Sequence, residues 1–143
     1  LSAVGEALDA AGLEWQAPED MRHEMWWKFM VNTAINQASA VLRRPYAAFT
    51  DEGPARSLML ALAHEVVTVA GAEGVGLGDA DLARWDTVLR GLPGDGQTSM
   101  LQDVVAGRRT EVALFADRVV ALGQHHGIPT PYNQMTSWIL VSR

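Results

Sequence analysis

The chain has 143 residues, which suffices for one domain with a buried core. Hydrophobic residues make up 48% and charged residues 20%, a balance typical of a folded globular protein and not of a disordered one. The formal charge of −6 argues against nucleic acid or an anionic membrane surface as a partner, and the absence of cysteine excludes disulfides and thiolate-held zinc. We also expect no membrane span and no signal peptide, and therefore a cytoplasmic protein.

Apolar spacing and helix-ending signals predict six helices and essentially no sheet. The first three are predicted over 2–11, 18–43 and 54–72. Pro18 is expected to open the long second helix, with Glu19 and Asp20 in its first turn, where the helix dipole favours negative charge. Pro45 ends that helix because the residue before a proline avoids the helical conformation.

The last three helices are predicted over 79–89, 98–126 and 131–143. Asp79 is expected to cap the fourth helix, and Thr98 or Ser99 to cap the fifth. Gln102 follows Ser99 by three residues, as in a capping box, and Gly107 allows a kink within that fifth helix.

A short apolar piece, 13–16, has the pattern of a strand but no later strand to pair with. Because a lone strand leaves its backbone hydrogen bonds unsatisfied, we expect its partners in a region outside this sequence.

The only lysine in the chain, Lys28, lies in an aromatic and apolar stretch of the second predicted helix. Asn32 and Asn36 follow at intervals of four, so the three side chains form one polar line along the helix. The surrounding residues are apolar nearly all round, which predicts that this helix is buried. Spacing alone leaves two interpretations open: a solvent-facing stripe, or the wall of a cleft for an oxygen-rich small molecule.

A second informative segment runs from Thr98 to Glu111. Taken singly, Ser99, Asp103 and Glu111 are ordinary cap or surface residues. Together with the polar line they offer a hydroxyl, a carboxylate and a cation, the groups needed to hold a hydroxy or keto acid and to move a proton.

These pieces, in this order and spacing, resemble the C-terminal domain of the ketopantoate reductase family from about residue 20 onward. The resemblance rests on Trp27-Lys28, Asn32, Asn36, Pro45-Tyr46, Ser99-Met100-Leu101-Gln102-Asp103, Gly107-Arg108-Arg109-Thr110-Glu111 and His126-Gly127-Ile128-Pro129-Thr130-Pro131.

The resemblance implies an all-α, multi-helix bundle of the 6-phosphogluconate dehydrogenase C-terminal-domain-like type. Residues 18–143 are then the helical substrate domain, and residues 1–17 the end of an N-terminal dinucleotide-binding domain plus linker. The implied activity is NADPH-dependent reduction of 2-dehydropantoate to pantoate, in pantothenate biosynthesis. Since NADPH would be bound mainly by that N-terminal Rossmann domain, residues 1–143 alone are expected to be inactive. The expected substrate of the whole enzyme is a small 2-keto acid, and a homodimer is one option.

The resemblance also assigns roles to residues. Lys28 matches the general acid toward the keto oxygen, Asn32 and Asn36 match asparagines that hydrogen-bond the substrate, and Ser99 matches a substrate-binding serine. Glu111 matches a glutamate that orients the substrate and borders the cofactor. No metal site is implied.

Two departures from the family pattern keep alternatives open. Gln37 stands where a proline is usual, and the run after Glu111 reads Val112-Ala113-Leu114-Phe115-Ala116-Asp117 in place of the common one. They favour, as one alternative, a related reductase that acts on another 2-keto acid. A second alternative is a non-catalytic helical module of the same fold that serves in dimerisation or ligand binding.

Three other features are interpreted as structural. The glycine-rich stretch 71–78 follows a helix, so it does not predict a nucleotide loop. His125 and His126 suit a helix C-terminus better than a metal site. Arg108 and Arg109 are expected to be solvated or paired with carboxylates.

Overall fold

The computed structural model describes residues 2–142, the Ser2 side chain excepted, and over that range the chain forms seven α-helices and one short 3-10 helix, with no strand. The predicted all-α class is confirmed, and the predicted number of six helices is wrong. The helices are α1 (Ser2–Ala10), α2 (Met21–Leu42), α3 (Pro54–Ala72), α4 (Asp79–Gly91), α5 (Ser99–Val105), α6 (Val112–His126) and α7 (Pro131–Val141), with the 3-10 helix at Tyr46–Phe49. The predicted end of the last helix at residue 143 lies outside the described residues.

The fifth predicted helix is two helices, α5 and α6. Gly107 has φ +66°, in the left-handed region that favours glycine, and helix does not resume until Val112. Gly107 therefore ends a helix and does not kink one.

The cap of α5 also differs from the predicted capping box. Thr98 is the capping residue, because its Oγ1 accepts from the backbone N of Leu101 at 3.1 Å. Gln102 instead donates through Nε2 to the carbonyl of Gln97 at 3.3 Å. Ser99 is the first residue of the helix, which leaves its hydroxyl free of a capping role.

The other two predicted helix starts are shifted. Asp20 caps α2, since its Oδ1 accepts from the backbone N of His23 at 2.9 Å, so that helix begins later than predicted. For α4 the capping position is Gly78, and Asp79 is the first helical residue. Asp81 Oδ2 accepts from the Gly78 backbone N at 3.0 Å, which satisfies a donor that the helix itself cannot pair.

The main core lies between α2 and α3, and α4 and α6 also contribute to it. By length and composition α3 would suffice to cross a membrane, but it lies in the centre of this fold. Its inward residues are buried against the other helices, and these are Met59, Leu62, Ala63, Val66, Val69 and Ala70.

A second, smaller core forms beside the C-terminal half of α2. It consists of Ala40 from α2, Met100 from α5, Val112 and Ala116 from α6, and Leu140 from α7, and we call it the small core. Because three helices bury a side chain against one turn of α2, the small core fixes where α5 and α6 begin.

The segment 13–16 forms no strand. It turns back along α1, where Trp15 donates through Nε1 to Asp9 Oδ1 at 2.9 Å. The Trp15 ring lies so close over Gly5 that a side chain there would collide with it. The apolar pattern of this segment is therefore satisfied by packing against its own helix.

A buried carboxylate holds the start of α7. Glu65 of α3 accepts from the backbone N of Tyr132 at 2.8 Å, the backbone N of Asn133 at 2.9 Å and Asn133 Nδ2 at 2.7 Å. Gln37 of α2 extends this network, because its Nε2 donates to Asn133 Oδ1 at 3.0 Å and to the Thr33 carbonyl at 2.8 Å. The network joins α2, α3 and α7 through charge-assisted bonds at a helix N-terminus.

A second network joins α3 and α4 to the 3-10 helix. Asp86 pairs with Arg90 Nε at 2.9 Å and with Arg56 Nη2 at 2.7 Å. The two guanidiniums also donate to the carbonyls of Thr50 and Phe49. The hydrogen bond from Arg90, followed by the bond and charge of Arg56, lowers the pKa of Asp86 below its ordinary value of 3.8.

We expect Glu65→Gln to lower the free energy of unfolding by about 1–3 kcal/mol, the usual cost of leaving buried donors without a charged acceptor. The amide replaces one acceptor oxygen with a donor that faces other donors. Urea unfolding measures the change. Glu19→Gln, at an exposed position, is the control and should leave the midpoint unchanged; an equal effect from both substitutions would contradict the capping role.

We expect the stability difference between the native chain and Asp86→Asn to shrink in acid. Because the pKa of Asp86 is lowered by folding, its stabilisation is fully present above a pH of about 4 and is lost as the pH falls through the folded-state pKa. Unfolding midpoints measured from about pH 6 to about pH 2.5 test this. Exposed Asp95→Asn should show no such trend, and a difference that is constant with pH would refute the ion-pair account.

Candidate functional site

The polar line of Lys28, Asn32 and Asn36 runs along one side of α2. Lys28 is exposed, and both asparagines are half-buried. Over residues 2–142, no ion pair or side-chain hydrogen bond involves any of the three. The expectation that α2 is buried nearly all round is wrong for its first half, where Met25 is 66% exposed and the aromatic residues are only partly buried; its fully buried residues begin at Met30.

Two aromatic neighbours fix the turn of α2 that carries Lys28. Trp27 donates through Nε1 to the carbonyl of Asp81 at 3.1 Å, and the guanidinium of Arg84 lies 3.8 Å from the centre of its ring. On the other side, Phe29 stacks on Phe115 of α6, with ring centres 6.3 Å apart. Lys28 thus projects from a turn that is anchored to α4 and to α6.

Ser99 is presented at the start of α5 by a loop that is fastened to the 3-10 helix. The backbone N of Tyr46 donates to the Gly96 carbonyl at 3.1 Å, and that of Ala47 donates to the Gly94 carbonyl at 2.9 Å. A Cβ at Gly96 would lie 3.0 Å from the Tyr46 ring and 2.9 Å from a backbone oxygen, so this position requires glycine. The Ser99 side chain itself is exposed.

Glu111 occupies the capping position of α6. Its carbonyl accepts from the backbone N of Leu114 at 2.9 Å, but its side chain makes no capping hydrogen bond and is exposed. The carboxylate is therefore held at the start of a helix without being used by that helix.

The small core places Ser99 and Glu111 beside the C-terminal half of α2. Ser99 precedes Met100, and Glu111 precedes Val112, and both apolar neighbours are buried with Ala40. Ala40 lies one turn beyond Asn36, so the polar line leads along α2 to the point where Ser99 and Glu111 are presented. The three helices thus present a cation, two amides, a hydroxyl and a carboxylate, none of them with a side-chain partner in 2–142, and Lys28 lies three turns of α2 from Ala40.

Two cavities in the described part of the chain lie away from the polar line. One, of about 660 Å³, is lined by the segment around Trp15 on α1. The other, of about 650 Å³, is lined by residues of the α5–α6 loop and the ends of α2 and α7. Neither is lined by a member of the polar line, and we call the surface formed by exposed Lys28 and half-buried Asn32 and Asn36 the open face. Among the described residues, no three His, Asp or Glu side chains converge in a way that would hold a metal ion.

Both departures from the family pattern have structural explanations. Gln37 is fully buried and bonds to Asn133, away from the polar line. In the run 112–117, Val112 and Ala116 fill the small core, and Asp117 Oδ1 accepts from the Ser137 hydroxyl at 2.5 Å. Phe115 supplies the stack on Phe29, so this run connects Glu111 to the Lys28 turn.

The residues that position Ser99 and α6 were not predicted from the sequence. Tyr46 and Gly96 hold the loop before Ser99, and Phe115 couples α6 to α2. The one available signal was the aromatic residue one turn after Glu111, because residues four apart share a helix face.

The chain matches known proteins over nearly its whole length. Residues 20–140 match the family model described as "Ketopantoate reductase PanE/ApbA C terminal". Among curated relatives, the 2-dehydropantoate 2-reductase of Caulobacter vibrioides is 36% identical, covering 96% of this chain and 48% of the relative. That of Pyrobaculum aerophilum is 32% identical, covering 94% of this chain and 48% of the relative.

Solved structures agree with these matches. A PanE/ApbA family ketopantoate reductase from Ralstonia eutropha has a TM-score of 0.87 at 26% identity, covering 99% of this chain and 47% of that one. A D-mandelate dehydrogenase solved with NADH and anilino(oxo)acetate has a TM-score of 0.87 at 20% identity, covering 98% and 59%, a likeness of fold alone.

The chain spans about half the length of the curated relatives it matches. The family model covers Lys28, Asn32, Asn36, Ser99 and Glu111 in one continuous match. The chain therefore belongs to the ketopantoate reductase family, and it corresponds to the C-terminal domain of that family.

Proposed function

We propose that this chain is the substrate-binding half of an NADPH-dependent reductase that converts 2-dehydropantoate to pantoate. The observation that supports the proposal is the polar line: an ammonium and two amides without side-chain partners in 2–142, in a chain of this family. A 2-keto acid has the matching chemistry, because its carboxylate and keto oxygens accept hydrogen bonds from such donors.

Lys28 is the proton donor in this proposal. As the keto carbon is reduced, negative charge develops on the keto oxygen, and the ammonium stabilises and then protonates it. Asn32 and Asn36 hold the substrate oxygens in line with Lys28, and the Ser99 hydroxyl supplies a further hydrogen bond. The exposed position of Lys28 requires a second wall, since electrostatic stabilisation strengthens when water is excluded.

Glu111 is proposed to orient the substrate and to border the cofactor, because its carboxylate is exposed and unused by α6.

NADPH would supply the hydride when bound. Over residues 2–142 there is no strand and thus no strand–turn–helix unit for a dinucleotide, so this chain fits one side of the cofactor only. We therefore propose that a preceding domain holds NADPH and that residues 1–143 alone are inactive.

We propose that residues 1–17 belong with the preceding Rossmann domain, since the family match begins at residue 20 and Trp15 packs back on α1 within this segment. A homodimer is also proposed; one fold relative is described as a dimeric ketopantoate reductase from Staphylococcus aureus.

The departures no longer favour a different keto acid, because Gln37 and Ala116 are fully buried in packing roles. A reductase of another keto acid predicts turnover of that acid without turnover of 2-dehydropantoate. A non-catalytic module predicts no turnover of either.

The proposal is tested by measuring the rate of NADPH oxidation by the full-length protein that contains this chain, with 2-dehydropantoate as substrate. We expect Lys28→Ala to lower kcat by about 10²–10⁴-fold, the usual contribution of a positioned general acid, and added methylammonium to restore part of the rate. Rescue by an external amine distinguishes loss of the proton donor from loss of folding.

Arg118→Ala is the matched control, because it removes an exposed cation from α6 outside the site. Its kcat should equal that of the native protein. Unchanged kcat in Lys28→Ala, or a loss that no amine restores, would contradict the assignment of Lys28.

A further inference from the structure

The cavity of about 650 Å³ at the far end of α2 is unusual for an acidic chain, because arginines line it. Arg43 enters it from the end of α2, and Arg108 and Arg109 enter it from the α5–α6 loop. Its size lies within the range of small-molecule sites. None of Lys28, Asn32, Asn36, Ser99 and Glu111 is among its lining residues.

The charges in this cavity are only partly compensated. Arg108 Nε donates to Asp103 Oδ1 at 2.8 Å, which neutralises one guanidinium. Arg43 and Arg109 have no ion pair or side-chain hydrogen bond with any residue in 2–142. The one carboxylate in the lining, Asp117, already accepts from the Ser137 hydroxyl. Arg43 and Arg109 are therefore exposed lining residues whose guanidiniums have no protein partner within 2–142.

The backbone of Arg43 adds a second observation. Arg43 ends α2 with φ 52° and ψ 49°, and it is the one non-glycine residue with positive φ among the described residues. Glycine or asparagine usually occupies this left-handed position at a helix end. Here the position carries a long cationic side chain to the edge of the cavity.

The other wall of the cavity is apolar. Val112 and Leu140 of the small core form part of it, with Val104 and Val141 beside them. A ligand that fills this space needs an anionic group at the arginine end and an uncharged organic part against the valines and leucine. A second anionic group would meet Asp117, which disfavours it.

We propose that this cavity binds a small organic phosphate monoester. A phosphate dianion matches two free guanidiniums, which bind phosphate oxygens through paired N–H donors. The organic part covers the apolar wall. The ligand would contact the loop that leads directly into Glu111. Binding of such a metabolite could therefore affect the position of Glu111. This proposal stands apart from the reductase proposal and does not require it.

The test is calorimetric titration of the full-length protein with phenyl phosphate, with phenol as the uncharged control and inorganic phosphate as the control without an organic part. We expect one saturable binding event for phenyl phosphate, weaker binding of inorganic phosphate, and none of phenol. The Arg43→Gln/Arg109→Gln double variant should raise the dissociation constant of phenyl phosphate by about tenfold or more, since it removes both unpaired guanidiniums.

Two further variants locate the binding. Arg118→Gln removes an exposed cation outside the cavity, and Lys28→Ala removes the cation of the polar line, and both should leave the dissociation constant unchanged. The proposal is overturned by the absence of saturable binding, by equal binding to the double variant and the native protein, or by loss of binding in Lys28→Ala alone. The last result would place the anion on the polar line and leave the reductase proposal standing.

Discussion

The candidate site depends on the burial of Ala40 beneath three other helices. A methyl side chain at this turn of α2 lets Met100, Val112 and Leu140 approach closely, and α5 and α6 consequently begin beside it. Interiors are packed so tightly that a larger residue would displace these helices. Ser99 and Glu111, which start or cap them, would move with them, whereas Lys28 lies three turns away on a turn that Trp27 and Phe29 anchor.

The open face is consistent with the proposal that this chain forms one part of a two-part site. Lys28 is exposed and has no side-chain partner in 2–142, and Asn32 and Asn36 are half-buried, so the polar line is open to water most fully at its Lys28 end. Rigid support and an open surface occur together: Trp27 and Phe29 anchor the turn from both sides while the ammonium stays free. Such an arrangement gives preorganised donors that act fully once another surface covers them.

Sequence reasoning predicted the helical class, the bounds of α3 and the polar line, because each depends on spacing within one segment. It failed where a distant contact decides the outcome. Gly107 was predicted as a kink, but it has left-handed backbone angles after α5, and α6 begins separately at Val112, which packs in the small core. The strand predicted over 13–16 failed because Trp15 packs back on α1, and Gln37 was suspected of altering the substrate although its partner, Asn133, lies far along the chain.

The central claim is that the polar line, Ser99 and Glu111 act as one binding face. Titration of the isotopically labelled full-length protein with 2-dehydropantoate tests it most directly by NMR. The account predicts that the side-chain amides of Asn32 and Asn36 and the backbone amides of Ser99 and Glu111 shift together, with one dissociation constant, while the buried amide of Gln37 stays in place. Shifts confined to other residues, or separate dissociation constants for these four groups, would contradict it.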